Sequence, residues 1–158
     1  MTAFARKQPS SRRLMIVEDD ALIAFDCEHA LAMAGFEIVA TVNDGEDAMA
    51  MLTREPLDLV LLDFNLAGAV TGYEVAKLAC GLAVPVLFVT GECPRNAQAY
   101  AQGWLSKPFR AHDLLGAIGA VDRALEGLPV NGTVPGLTLF DQSQLDKAEL
   151  AANSPRLR

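Results

Sequence analysis

The chain has 158 residues, enough for one domain of ordinary size, and 51% of them are hydrophobic. That share supplies a core and excludes a disordered chain, while no apolar run approaches the ~18 residues that cross a bilayer. The net charge is −7, and residues 14–63 carry twelve acidic side chains and one basic side chain. This part of the chain would repel nucleic acid and attract a divalent cation.

The first thirteen residues, MTAFARKQPSSRR, carry basic side chains without the apolar stretch of a secretory signal. We interpret residues 1–13 as a flexible N-terminal arm. The three cysteines, Cys27, Cys80 and Cys93, are far apart and have no histidine cluster beside them. Such cysteines are typical of reduced thiols, so the sequence predicts a cytoplasmic protein without disulfides or a zinc site.

Five short apolar runs follow, and their β-branched and aromatic content predicts strands. In chain order they are LMIV, EIVATV, LDLVLLDF, VPVLFVT and GWLSKPF. Helical patterns lie between and after them: DALIAFDCEHALAMAGF, DGEDAMAMLTRE, TGYEVAKLACGL, a short piece around PRNAQAYA, and RAHDLLGAIGAVDRALEG. Apolar strands that alternate with helices indicate a parallel sheet covered on both faces. We predict a doubly wound α/β domain over residues 14–127.

Polar side chains stand at the carboxyl ends of these strands, where functional groups gather in such sheets. They are Glu18, Asp19, Asp20, Asp63, Asn65, Thr90 and Lys107. A carboxylate cluster without histidine or cysteine suits a hard cation such as Mg²⁺. An aspartate beside that cation can attack phosphorus to give an aspartyl phosphate, whose oxygens Lys107 and Thr90 would contact. The alternative for each residue is an ordinary solvated group at a strand end.

From residue 14 to about residue 127 the chain resembles the receiver domain of bacterial two-component response regulators. The motifs IVEDD, LVLLDFN, FVTGE and LSKPF carry the resemblance, in order and at fitting strand ends. It implies a flavodoxin-like five-stranded sheet in the order 2-1-3-4-5. It also implies a phosphorelay protein that accepts a phosphoryl group from a sensor histidine kinase or histidine phosphotransfer protein. Such a domain is a signalling module that catalyses only its own phosphorylation and dephosphorylation.

The resemblance also implies a role for each acidic residue. Asp63 would be the phosphoacceptor. Asp63, Asp19 and the backbone carbonyl of Asn65 would bind Mg²⁺ directly, and Glu18 would act on the ion through water. Asp20 would be the cap of the first helix.

Three further residues receive roles from the resemblance. Thr90 would move to bond the phosphoryl group, and Lys107 would pair with it. Trp104 stands three residues before the lysine, where receivers often carry an aromatic side chain that reports the switch. A plain core residue is the alternative for Trp104.

The chain departs from the family pattern in two places. After Asp63, Ala67 replaces the usual proline and Gly72 comes one residue late, which lengthens the loop. Sixteen residues separate Thr90 from Lys107, fewer than in most receivers, so we expect a short or partly unwound fourth helix. Stand-alone receivers of α-proteobacteria include similar variants.

Residues 128–158 form a C-terminal tail too short for a helix-turn-helix output domain. Its charges balance, so we expect no DNA binding, no membrane contact and a downstream protein as target. A phosphorylation-dependent dimer is left open. The stretch GLTLF could add a strand or dock in a groove, SQLDKAELAAN could form a helix after a Ser143 cap, or the tail could be disordered.

An enzyme is the alternative of a different class, namely a haloacid-dehalogenase-like, Mg²⁺-dependent phosphohydrolase. Such enzymes also combine a nucleophilic aspartate, a hydroxyl group, a lysine and Mg²⁺. They carry a second aspartate two residues after the nucleophile, where this chain has Asn65, and their metal-binding acids come late in the chain. Glu18 and Asp19 come early, which favours the receiver.

Overall fold

The apolar runs of the sequence form one sheet within residues 12–141, the part of the chain that the computed structural model describes. Its strands are β1 Arg13–Val17, β2 Glu37–Val42, β3 Leu59–Leu62, β4 Val86–Thr90, β5 Gly103–Ser106 and β6 Leu137–Leu139. They lie in the order β2-β1-β3-β4-β5-β6, with β1 to β5 parallel and β6 antiparallel to β5. The predicted order 2-1-3-4-5 is confirmed, and one strand is added at the edge.

Four α-helices accompany the strands in these residues: α1 Ala21–Met33, α2 Gly45–Arg54, α3 Gly72–Gly81 and α4 Ala111–Leu125. Three of these helices have a short polar residue at the N-cap, because such a side chain accepts hydrogen bonds from the free N–H groups of the first helical turn. Asp20, Asp44 and Thr71 fill these positions. The Asp20 carboxylate accepts from the N–H groups of Leu22 and Ile23, so its predicted role as a cap is confirmed. None of the helices described is long and apolar enough to cross a membrane.

Strand side chains alternate between the two faces of the sheet and form two apolar layers. Helices α2 and α3 cover one layer, to which Val60 and Phe88 point. Helices α1 and α4 cover the other, to which Leu61 and Leu87 point. Every residue of β3 and β4 is buried, which is why their sequences are almost continuously apolar. The predicted doubly wound α/β class is confirmed.

The strand order reverses at β1, and this reversal creates the crevice of the domain. From β1 the chain moves to β2 on one side and then crosses to β3 on the other. The connections that leave β1 and β3 therefore diverge beyond the carboxyl ends of these strands. Glu18 follows β1 and Asp63 follows β3, so the topology brings both predicted acids to this crevice.

Between β4 and β5 the chain forms a single 3-10 turn, Gln98–Tyr100. Ala97 and Ala101 flank the turn and are fully buried in the layer that α3 covers. The Tyr100 ring meets the ring of Tyr73 on α3 edge to face, with 5.5 Å between the ring centres. The small alanines let this turn lie close to the core. The helix expected between Thr90 and Lys107, the fourth in the family pattern, is thus reduced to this single turn, and its predicted shortening is confirmed.

The segment after α4 returns to the sheet as β6. Its ladder with β5 continues at both ends, since Ser106 N donates to Gly136 O and Phe140 N donates to Gln102 O, each at 2.9 Å. The Phe140 side chain is buried in the layer that α2 and α3 cover. Of the alternatives for GLTLF, the structure has the strand. The helix predicted after Ser143 and residues 1–11 of the predicted arm lie outside the described residues. Arg13, a residue of that predicted arm, is the first residue of β1, and the domain boundary at residue 127 stays a prediction.

Two glycines make room for this segment. A Cβ atom on Gly103 would lie 2.8 Å from the backbone oxygen of Thr138, closer than real Cβ atoms approach. A Cβ atom on Gly116 of α4 would lie 3.2 Å from Cγ2 of Val134. The surface that receives β6 therefore depends on the absence of a side chain at residue 103.

Gly103→Ala is expected to lower the free energy of unfolding by about 1–3 kcal/mol, because the added methyl group forces β6 away from β5. Urea denaturation measures this change. Gly119→Ala is the matched control: Gly119 lies in α4 with open space around it, and alanine there should stabilise the helix by about 1 kcal/mol. A Gly103→Ala protein as stable as the wild type would contradict the pairing of β5 with β6.

Candidate functional site

Three carboxylates meet in the crevice. Glu18 N donates to Val42 O at 3.0 Å and Asp63 N donates to Val17 O at 2.9 Å, so the sheet ladder fixes where both acidic side chains begin. Carboxylate oxygens of Glu18, Asp19 and Asp63 lie within 4.8 Å of one another. Glu18 and Asp63 are 4% and 6% exposed, whereas Asp19 is exposed. The cluster thus has two buried members and one member open to solvent.

These three residues fit a bound Mg²⁺ ion by the chemistry of their donor atoms. All three offer carboxylate oxygens, the ligands that hard divalent cations prefer. The exposed position of Asp19 leaves one side of the cluster accessible to an ion and its water. Asp20 stands apart, because its carboxylate is used to cap α1. The run of three acids therefore divides into one buried acid, one exposed acid of the cluster and one helix cap.

Lys107 supplies the positive charge at the cluster. Its Nζ atom lies 2.6 Å from Oε2 of Glu18 and 3.1 Å from Oδ2 of Asp63. The backbone of Lys107 continues the β4–β5 ladder, since its N–H donates to Thr90 O at 3.0 Å. The ladder therefore aims the lysine at the crevice, and the structure brings this predicted residue to both acids.

Burial and charge shift the pKa values of two groups in the cluster. Burial raises the pKa of the Glu18 carboxyl and the charge of Asp63 adds to the rise, although the Lys107 ammonium opposes it. Burial lowers the pKa of Lys107, but hydrogen bonds and charges from Glu18 and Asp63 outweigh it, so the lysine pKa is raised. Lys107 therefore stays charged at neutral pH, and Glu18 takes up a proton more readily than an ordinary glutamate.

Asn65 connects Asp63 with the hydroxyl group of Thr90. The backbone N–H of Asn65 donates to Oδ1 of Asp63 at 3.0 Å, and its side-chain Nδ2 lies 3.4 Å from Oγ1 of Thr90. Thr90 is fully buried at the end of β4. The ends of β3 and β4 thus present an acid, an amide and a hydroxyl group side by side, as the sequence predicted for Asp63 and Thr90.

Trp104 contacts the site through the backbone of Thr90. Its indole N–H donates to the carbonyl oxygen of Thr90 at 2.9 Å. The ring is partly buried and packs against the layer that α2 and α3 cover. The predicted role of Trp104 as a switch stays a prediction.

The sequence did not indicate the surface of α1 that lies beside the cluster. Leu22, Phe25 and Met33 are 77%, 66% and 77% exposed. A groove of about 650 Å³ separates α1 from the start of α4 and reaches Lys107. Apolar side chains that line this groove include Ile23, Cys27, Ala30, Phe109 and Leu114. The available signal was that the apolar side chains of α1 are spread around the helix instead of being confined to one face.

Lys107→Met would leave Glu18 and Asp63 buried together without a cation, so the pKa of Glu18 would rise further. A carboxyl group whose pKa is higher in the folded chain costs stability as the pH rises through that folded value. We therefore expect the variant to match the wild type most closely below about pH 4 and to be about 3 kcal/mol less stable at pH 7.

Urea unfolding at a series of pH values measures this difference. Lys77→Met removes an exposed lysine of α3 and serves as the control, expected within about 0.5 kcal/mol of the wild type at every pH. A stability difference for Lys107→Met that did not change with pH would contradict the coupling of Lys107 to Glu18.

Comparison with known proteins points to one family. The model of the response regulator receiver domain matches residues 14–119. The transcriptional regulatory protein PdtaR of Mycobacterium tuberculosis is 32% identical over 133 residues, which cover 80% of this chain and 65% of PdtaR. The sensory transduction protein RegX3 of Mycolicibacterium smegmatis is 34% identical over 116 residues, which cover 70% of this chain and 50% of RegX3. The chain therefore spans one half to two thirds of these relatives.

A solved structure shows the same architecture. The chemotaxis response regulator CheY4 of Vibrio cholerae superposes with a TM-score of 0.63 at 30% identity, over 70% of this chain and 98% of CheY4. The family match at residues 14–119 includes the acid cluster, Thr90 and Lys107. The chain belongs to the response regulator receiver domain family, which acts in two-component signalling.

Proposed function

We propose that this chain is a phosphoacceptor receiver of a two-component or phosphorelay pathway and that Asp63 accepts the phosphoryl group from a phosphohistidine. The observation that supports this proposal is the hydrogen bonding of the Asp63 carboxylate. One of its oxygens accepts a hydrogen bond from the Asn65 N–H, and the other accepts one from the Lys107 ammonium. A second buried acid, Glu18, lies beside it. Such a carboxylate is held in one orientation at the mouth of a crevice, as a nucleophile must be.

In the proposed step a carboxylate oxygen of Asp63 attacks the phosphorus atom of phosphohistidine. The new P–O bond forms as the P–N bond to the imidazole breaks, and the imidazole nitrogen leaves with the electron pair. Little covalent chemistry falls to the protein, so positioning and charge neutralisation dominate. The Lys107 ammonium donates to the phosphoryl oxygens, and the Thr90 hydroxyl donates to another of them once it reaches the group.

A Mg²⁺ ion would be held by Asp19, Asp63 and the backbone carbonyl of Asn65, with Glu18 acting through water. Bound there, it would supply charge neutralisation for the phosphoryl oxygens. The open side of the cluster at Asp19 supports this proposal, as does the oxygen-only donor set. A haloacid-dehalogenase-like hydrolase fits less well, because the residue two after the nucleophile is Asn65, whose amide points to Thr90 rather than supplying an acid.

The donor partner of this proposal is a histidine kinase or histidine phosphotransfer protein that docks on α1. Leu22, Phe25 and Met33 expose apolar surface on this helix, and the groove beside it opens at Lys107. When a partner covers apolar side chains that are this exposed, their burial lowers the free energy of the complex. A partner seated here would bring its phosphohistidine toward Asp63.

The output of this proposal is a contact with a downstream protein in the cytoplasm. PdtaR and RegX3 are named as regulatory and sensory proteins, but they extend well beyond the part that matches this chain. The excess of acidic residues over residues 14–63 opposes binding to nucleic acid or to an anionic membrane surface. We therefore propose a protein target and no direct DNA contact.

Asp63→Asn is expected to abolish phosphorylation while the fold is kept, because the amide cannot attack phosphorus. The measurement is intact mass after incubation with acetyl phosphate, with and without Mg²⁺. The wild type should gain one phosphoryl group in a Mg²⁺-dependent manner. Asp20→Asn is the matched control, since asparagine also caps helices and residue 20 lies outside the cluster. Normal labelling of Asp63→Asn would refute the assignment of the acceptor.

Phe25→Ser is expected to slow phosphoryl transfer from a histidine phosphotransfer protein at least about tenfold, since an exposed aromatic anchor is lost from the docking surface. Labelling by acetyl phosphate, which needs no docking, should stay unchanged. Leu82→Ser removes an exposed leucine at the end of α3, away from this groove, and is the control. The donor is a phosphorylated histidine phosphotransfer protein that labels the wild type, and equal slowing with both donors would contradict docking on α1.

A further inference from the structure

We propose that Trp104 is a positioning residue for Thr90, and that its ring keeps one rotamer when Asp63 is phosphorylated instead of turning between two. The inference rests on the proposed function and goes beyond it. The indole N–H is the group that presets the Thr90 hydroxyl for the phosphoryl group.

The indole N–H reaches along the sheet toward the crevice. In the β4–β5 register Trp104 pairs with Phe88, and Thr90 lies two residues nearer the crevice. The indole spans that distance and donates to Thr90 O at 2.9 Å, while Lys107 N donates to the same oxygen at 3.0 Å. Both lone pairs of this carbonyl are therefore occupied by donors from the β5 side.

These two hydrogen bonds to one carbonyl oxygen fix the backbone from which the Thr90 hydroxyl projects. Thr90 is fully buried, and its Oγ1 atom lies 3.4 Å from the amide of Asn65, the residue that also bonds Asp63. A hydroxyl held beside Asn65 is already directed to the acceptor side of the crevice. Trp104 thus acts on the reaction through Thr90 and touches no reacting atom.

The surroundings of Trp104 oppose rotation of the ring. Its backbone pairs with Phe88 of β4 on one side and with Thr138 of β6 on the other, so the strand cannot yield locally. The ring packs against an apolar layer that includes Phe88 and Phe140. A turn of the ring would break its bond to a buried carbonyl and withdraw apolar surface from this layer. Phenylalanine would fill similar space, but it has no N–H group.

The direct test uses the single tryptophan of the chain, which gives one indole N–H signal in a ¹H–¹⁵N spectrum. The spectra are recorded on the whole chain with Mg²⁺ alone and with Mg²⁺ plus beryllofluoride, a mimic of the phosphoryl group. We expect one indole signal whose proton exchanges slowly with water in both states. A second signal, or loss of protection when beryllofluoride binds, would overturn the inference.

The kinetic test is a double-mutant cycle read by acetyl phosphate labelling. Trp104→Phe should slow labelling of Asp63 by about fivefold, the value of one ordinary hydrogen bond. In a Thr90→Ala background the same substitution should have no further effect, because the group that Trp104 positions is absent. Equal slowing in both backgrounds would show a merely structural role and overturn the proposal.

The two levels of failure are distinguishable in these experiments. A wild-type chain that gains no phosphoryl group would refute the proposed function, and the inference would fall with it. A wild-type chain that is labelled normally but has an unprotected or doubled indole signal would refute the inference alone.

Discussion

The ion pairs of Lys107 with Glu18 and Asp63 are the constraint on which the rest of the site depends. Two carboxylates buried at the ends of adjacent strands repel each other, and burial removes the water that would screen them. One ammonium, 2.6 Å from the first and 3.1 Å from the second, offsets this repulsion. Because the three residues directly follow β1, β3 and β5, the ion pairs also connect the carboxyl ends of these strands.

This arrangement gives the site a charge balance that the proposed phosphoryl group would alter. The Lys107 ammonium already pairs with Glu18 and Asp63 when no ligand is bound. An anionic ligand would compete with these two carboxylates for the N–H groups of the ammonium. The carboxylate of Glu18 is the member that can compensate most readily, since burial already favours its neutral form. The buried hydroxyl of Thr90 can donate a hydrogen bond to an anion, whereas the exposed carboxylate of Asp19 can bind a cation.

Most of the fold and of the acid cluster could be predicted from the sequence, because strands, helix caps and strand-end groups depend on local patterns. Asp20 as a cap needs only the residues of one helical turn. The bond from Trp104 to Thr90 could not be predicted, since it depends on the register of two strands. The same holds for the need for Gly103, which exists only because a sixth strand approaches it. The helical pattern of α1 does not say that Phe25 stays uncovered.

The position of β6 also bears on how the chain folds during synthesis. The ribosome releases the five parallel strands first, and the strand that pairs with β5 comes about thirty residues after β5 in the chain. Until it emerges, the N–H and C=O groups of β5 form an open sheet edge, and the place of Phe140 in the core is vacant. An open edge of this kind invites pairing with a neighbouring nascent chain. The last described residues therefore close one edge of the sheet that would otherwise be open to misassembly on polysomes.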